Sequence, residues 1–123
     1  WIGFGALPAL LLALAGLKPP SGMHGRDLTP LLKNEKVPWR TSFLYEAPTS
    51  SLGGWPHRAV RTERWKYIRT FDPKDPAKVV FEELYDLKTD PRETKNLAAD
   101  PAQAGRLKQL TDELQRLTPP KAR

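Results

Sequence analysis

The sequence predicts an α+β fold: a small antiparallel sheet of about four strands packed by a C-terminal helix, with a further helix and loop ahead of it. Three observations carry this. Four short runs rich in β-branched and aromatic residues follow one another between positions 41 and 87, separated by Pro, Gly and Asp clusters. Two of them, 57–61 and 64–71, stand a tight turn apart. Finally, Leu107, Leu110, Leu114 and Leu117 recur at spacings of three and four, the stripe of an amphipathic helix laid across a sheet.

Taken in order, residues 1–17 carry no charge and invite a membrane reading, yet a spanning helix needs about 20 apolar residues and this shorter run is interrupted by Pro8. No basic segment precedes it, as a signal peptide would require. A buried helix over 8–15, closed by Gly16, is expected instead, with no membrane span. Residues 18–25 read as a Pro- and Gly-rich loop, and Asp27 opens a single helical turn to Leu32. Residues 41–46 (TSFLYE) form the first strand, and 48–56 a Ser/Gly loop of the kind that often carries function. The hairpin follows, turning at Thr62 and Glu63. Two Asp-Pro pairs rule out regular structure in 72–78, and 79–87 returns as the last strand. Asp90-Pro91-Arg92-Glu93 and Asp100-Pro101-Ala102-Gln103 both place Asp at the N-cap and Pro at the first helical position. The first opens a turn or two of helix, the second a helix to Leu117, with the last three residues frayed.

At 123 residues there is room for one core, and 13 Pro with 8 Gly keep regular elements short. Cysteine is absent, which excludes disulfides, thiolate metal sites and cysteine nucleophiles within the chain. His24 and His57 are the only histidines and have no ligand partner at helical spacing, so no metal site is expected. His24 reads as structural. Ser21, Ser42, Ser50 and Ser51 lack a G-x-S-x-G context, and Gly3 to Gly5 and Gly53-Gly54 lack a phosphate-binding continuation. No catalytic residue is expected in this chain. The net charge of +6 favours polyanionic partners. Arg58, Arg61, Arg64, Lys66 and Arg69, interleaved with Trp65, Tyr67 and Phe71, form either an anion-binding face or a solvated strand surface. Nucleic acid is not the expected partner, because stacking aromatics would have to be exposed and these suit a core. His57, beside Trp55 and Pro56, is either a surface or capping residue or the head of a functional loop.

Four segments in sequence, LAGLKPPSGMHGRDLTPLL, WRTSFLYE, HRAVRTERWKYI and ELYDLKTDPRETKNLA, resemble the C-terminal region of the type I sulfatases, the group that includes N-sulfoglucosamine sulfohydrolase and bacterial arylsulfatases. The resemblance implies an alkaline-phosphatase-like α/β domain followed by a small sheet, residues 1–36 being the remnant of the first and its connector and 37–123 the C-terminal subdomain. It also implies a periplasmic or extracellular parent. In that family a cysteine in C-x-P-S-R or C-x-P-x-R becomes formylglycine and calcium holds the sulfate, but this chain contains neither the motif nor the metal ligands. It therefore resembles the last quarter of a sulfatase, inactive alone, whose partner is the missing catalytic domain and whose parent acts on sulfated glycans, by ester or sulfamate hydrolysis. His57 is carried over as a substrate-cleft residue, with Trp55 and Arg61 beside it.

There is one departure. Relatives show Asp-x-x-Pro-Thr-Leu-Leu-Asp-Leu-Ala-Gly where this chain has GALPALLLALAG, without the acids and with the proline shifted by one. Residues 1 to about 10 are therefore expected to come from a shifted reading frame or a fragment end. A free-standing module binding sulfated polysaccharide and an inactive gene fragment are the alternatives to a sulfatase part.

Overall fold

The computed structural model describes residues 6–18, 20, 25, 27–47 and 54–118. His24, part of the 18–25 loop, positions 48–53 of the Ser/Gly loop, residues 1–5 and the chain end after Thr118 lie outside the described residues. The chain divides into two compact units, Trp1–Trp39 and Arg40–Arg123.

The first unit holds α1 (Ala6–Leu14) and the single turn α2 (Thr29–Leu32). Gly16 follows α1 with φ of 73°, the left-handed conformation in which glycine ends a helix without steric cost. Asp27 accepts the Thr29 amide at 2.8 Å and so starts α2 as expected. The helix α1 is less buried than expected: Ala9 is covered, but Leu7, Leu11 and Leu14 are exposed. A one-turn α2 offers too little surface to cover an apolar helix on every side.

The second unit is a meander of four antiparallel strands, in the order β1 (Ser42–Ala47), β2 (His57–Thr62), β3 (Trp65–Phe71) and β4 (Val79–Asp86), backed by α3 (Ala104–Leu117). The expected strands are all present. The hairpin turns one residue later than expected, over Glu63 and Arg64, because the Thr62 hydroxyl accepts the Trp65 amide at 2.9 Å and fixes the corner.

The register explains the core. Leu44, Val60, Tyr67 and Leu84 stand directly opposite one another across the four strands. Leu110 and Leu114 of α3 pack on this row, with Leu107 and Leu117 beside them. The leucine stripe therefore does what its spacing predicts. The next rung reads Glu46, Arg58, Arg69, Glu82, with ion pairs at 2.5 Å and 2.9 Å across its outer steps. The Tyr67 hydroxyl donates to Glu82, accepts from Arg69 at 2.7 Å and meets Thr111 of α3 at 3.1 Å, so the one polar atom of this core tyrosine is satisfied. Glu113 links the helix to β1 by accepting from Ser42.

The two Asp-Pro signals diverge. Asp100 caps as expected, with extended backbone and its carboxylate accepting the Ala102 amide at 2.9 Å, although the helix begins as a 3-10 turn, Pro101–Gln103. Asp90 opens no helix. After one hydrogen-bonded turn, Glu93 takes φ of 57° and the chain folds back, with the Asp90 carboxylate accepting the Lys95 amide at 2.8 Å. The returning segment closes the outer edge of β4. Asn96 accepts the Leu84 amide at 3.0 Å and donates to the Glu82 carbonyl at 3.0 Å, and the Leu97 amide donates to the Leu84 carbonyl at 2.8 Å. An amide side chain thus stands in for a fifth strand.

Candidate functional site

Strand β2 begins immediately after the Ser/Gly loop, so its first side chains sit at the mouth of the sheet. His57 Nδ1 lies 3.0 Å from the Trp55 carbonyl oxygen. A carbonyl only accepts, so Nδ1 carries the proton in this contact and Nε2 is the ring nitrogen left for another partner. The imidazole stacks on Tyr45 of β1, centroids 5.7 Å apart and planes inclined by 29°. Trp55 and Tyr45 are about half exposed, at 51% and 54%, so the histidine stacks on one accessible ring and is held by the backbone of a residue that carries another. That arrangement can accept a hydrogen bond, or donate one when protonated, against a flat apolar wall.

Arg61 lies on the same face of β2 but four residues further on, about 13 Å away at strand rise. Geometry therefore joins His57 to Trp55 and Tyr45 and leaves Arg61 at the other end of the strand. Burial lowers the proton affinity of the Arg61 guanidinium, and the charge of nearby Glu93 works in the opposite sense. Tyr45 was missed in the sequence because it read as an ordinary strand residue. Its place three residues before the loop was the available signal.

The basic run does not form one anion-binding face. Arg58 and Arg69 point toward the helix side and Lys66 to the other, since neighbours along a strand alternate. Each also meets a carboxylate: Arg58 with Glu46 at 2.5 Å, Lys66 with Glu93 at 2.5 Å, and Arg69 with Glu82 at 2.9 Å. Arg64 grips Asp86 through two parallel bonds of 2.8 Å and 2.6 Å, the bidentate geometry that suits a guanidinium to a carboxylate. These bonds hold the Asp86 carboxyl down at about 2.

Where the hairpin turn, the end of β4 and the start of α3 converge, a cavity of about 620 Å³ opens around Trp65. The Arg64 and Arg106 guanidinium carbons lie 5.0 Å and 5.1 Å from the Trp65 ring centroid, and Lys95 joins them in the lining. Sequence reasoning missed this place because its parts are brought together from three separate elements. Among the described residues, no group of three or more His, Cys, Asp or Glu side chains is placed to hold a metal ion, and no helix is long and apolar enough to cross a membrane.

A four-stranded meander backed by a single C-terminal helix, preceded by a separately packed helical unit, defines an α+β subdomain of the sulfatase type. The chain belongs to the family described as N-sulphoglucosamine sulphohydrolase, C-terminal, whose model matches residues 6–119. It is 35% identical over 100 residues to a Delta 4,5-hexuronate-2-O-sulfatase of Bacteroides thetaiotaomicron, covering 74% of this chain and 18% of that protein. Over 116 residues it is 32% identical to an ulvan-active sulfatase of Formosa agariphila, covering 73% of this chain and 23% of that protein. Among solved structures it matches a protein in complex with its substrate D-glucosamine-2-N,6-O-disulfate, with a TM-score of 0.76 and 27% identity, covering 90% of this chain and 22% of that one. A phosphonate monoester hydrolase of Agrobacterium radiobacter matches with a TM-score of 0.70 and 25% identity, covering 91% and 24%. The chain thus spans about a fifth of the length of the relatives it matches.

Proposed function

We propose that this chain works as the C-terminal part of a sulfatase that hydrolyses sulfate esters or sulfamates on glycans, supplying scaffold and rim residues while the reacting groups come from the remainder of the protein. The family match over residues 6–119, set against relatives about five times longer, carries this reading. Residues 1–36 are then the end of the catalytic domain with its connector, and 37–123 the C-terminal subdomain. The exposed Leu7, Leu11 and Leu14 of α1 support the first assignment, because an apolar helix surface of this kind suits a larger packed body. His57 and Trp55 are the side chains we assign to the substrate rim, with Arg61 as a more distant contributor.

Formylglycine and calcium, the groups such a parent uses, would both be held outside this chain, which has no cysteine to convert. The chemistry they supply is attack on sulfur and charge neutralisation of the sulfate. What this chain contributes is position: the Nε2 of His57, whose Nδ1 is taken by the Trp55 carbonyl, to meet a sugar hydroxyl or sulfate oxygen, and the half-exposed indole of Trp55. The ion pairs of Arg58, Lys66 and Arg69 make a free-standing polyanion module the weaker reading.

Joining this chain to a catalytic portion that carries C-x-P-S-R should give aryl sulfate hydrolysis, which His57→Ala lowers without unfolding the subdomain. The isolated chain should give none. Hydrolysis by the 123-residue chain alone would overturn the assignment.

A further inference from the structure

We propose that the cavity around Trp65 binds a saccharide unit that carries a sulfate group, at a position separate from His57. The choice of a saccharide rests on the function proposed above, whereas the preference for an isolated anion rests on the cavity itself.

Three cations open onto it, Arg64, Lys95 and Arg106. Asp86 engages Arg64 through its bidentate bonds. Lys95 and Arg106 form no ion pair among the described residues, and the Arg106 side chain donates only to Gln109, at 2.5 Å. Two positive charges therefore face the space without a carboxylate of their own. The remaining polar lining suits hydroxyl groups: Gln103 and Gln109 both donate and accept, and Asp86 and Asp100 accept. Those two carboxylates also discriminate. A densely charged polyanion such as a nucleic acid backbone would meet them at close range, whereas a sugar with one sulfate and several hydroxyls finds a partner for each kind of group.

Size and rigidity agree with this. The space, about 620 Å³, is open to solvent and lined mostly by polar groups, which gives room for one sugar unit bound at the surface. Arg64 is fixed by its fork on Asp86 and by its carbonyl, which accepts the Leu87 amide at 2.8 Å, and Trp65 is 8% exposed between the guanidiniums of Arg64 and Arg106. Arg64 and Trp65 therefore lose little side-chain freedom on binding, whereas the exposed Lys95 is ordered by the ligand. His57 pairs with Thr70, five residues along β3 from Trp65, which sets the two places about 17 Å apart at strand rise. His57 also lies on the face of the sheet opposite α3, whereas Trp65 lies on the helix face, so the cavity is a site apart from the His57 rim.

The test is a titration of the ¹⁵N-labelled 123-residue chain at fixed ionic strength with N-acetylglucosamine 6-sulfate, unsulfated N-acetylglucosamine and sodium sulfate. Saturable shifts of the Trp65 indole and of the Lys95 and Arg106 amides are expected with the sulfated sugar, at lower concentration than with either control. Arg106→Ala and Lys95→Gln should each weaken binding roughly tenfold. Arg106 packs on Trp65 and its loss could disturb the fold, but Lys95 is exposed, so Lys95→Gln decides the matter alone. No shift at Trp65, shifts confined to the His57 end, or equal affinity for sodium sulfate or the unsulfated sugar would overturn the proposal. Binding here without restored sulfatase activity in the joined protein would remove the proposed function and leave this site standing. Restored activity without binding here would do the reverse.

Discussion

Replacing Asp86 by Asn tests the junction on which both the hairpin and the Trp65 cavity depend. Asp86 is 5% exposed, and its carboxylate takes two bonds from Arg64 and one from the Lys88 amide at 3.2 Å. Asparagine keeps the shape and can still accept the amide, but it loses the charge and one of the two parallel bonds. In the folded protein Arg64 and the lesser contacts hold the carboxyl at about 2 against an ordinary 3.8. Each tenfold change in proton affinity is worth about 1.4 kcal/mol, and Arg64 is half exposed and screened, so the substitution should cost about 1–2 kcal/mol at pH 7. A depressed carboxyl stabilises the fold above its unfolded value, near 4, and that stabilisation disappears as pH falls through the folded value, near 2. The difference between wild type and Asp86→Asn, measured by urea denaturation at several pH values, should therefore shrink toward zero between about pH 5 and pH 2. Taking the difference removes other groups that titrate there, notably Glu113, which Arg116 and Ser42 also hold at about 2. A difference that stays constant from pH 7 to pH 2 would refute the linkage argument.

Leu110→Ala, at the centre of the helix–sheet contact, should cost about 2–5 kcal/mol in the same assay, and a loss under 1 kcal/mol would mean that α3 does not seal the core. Tyr67→Phe keeps the ring but leaves Glu82, Arg69 and Thr111 without the hydroxyl they share, and should cost about 1–3 kcal/mol. Tyr85, pushed up to about 12 by burial and by its bond to Glu83, should resist ionisation in a spectrophotometric titration until well above pH 10. Its raised value favours the fold below pH 10, and that contribution should fade as pH rises toward 12. Asn96→Ala removes two hydrogen bonds at the edge of β4 and one from the Ala98 amide, and should speed amide exchange at Leu84 while leaving Val60 protected; unchanged exchange at Leu84 would count against the edge-closing role.

What could be read in advance depended on whether the deciding contact was local. Strands β1 to β4 and the leucines of α3 follow from periodicity, which is a property of short windows. The Asp100 cap is local too. Asp90-Pro91 carries the same letters yet opens a loop, because the segment after it is drawn back onto β4 by Asn96 and onto Lys66 by Glu93, contacts that span twelve or more residues. For the same reason Arg64 looked like part of an anion-binding run until Asp86, twenty-two positions away, was seen to hold it. His57 and Trp55 are close in sequence and close in space, so their pairing was legible, whereas the Trp65 cavity needed β3, the turn after β4 and α3 to be assembled first.

The closed edge of β4 bears on how such a molecule would associate. A sheet with two open flanks can add neighbours without limit and grow into fibres. Here the Glu82 carbonyl and both backbone groups of Leu84 are taken by Asn96 and Leu97, and the Asp86 carbonyl accepts the Asp90 amide at 2.7 Å. Among the described residues the other outer strand of the sheet is β1. With the β4 side closed, strand addition could proceed through one flank at most, and pairing through a single flank ends at two copies related by a two-fold axis rather than at a fibre.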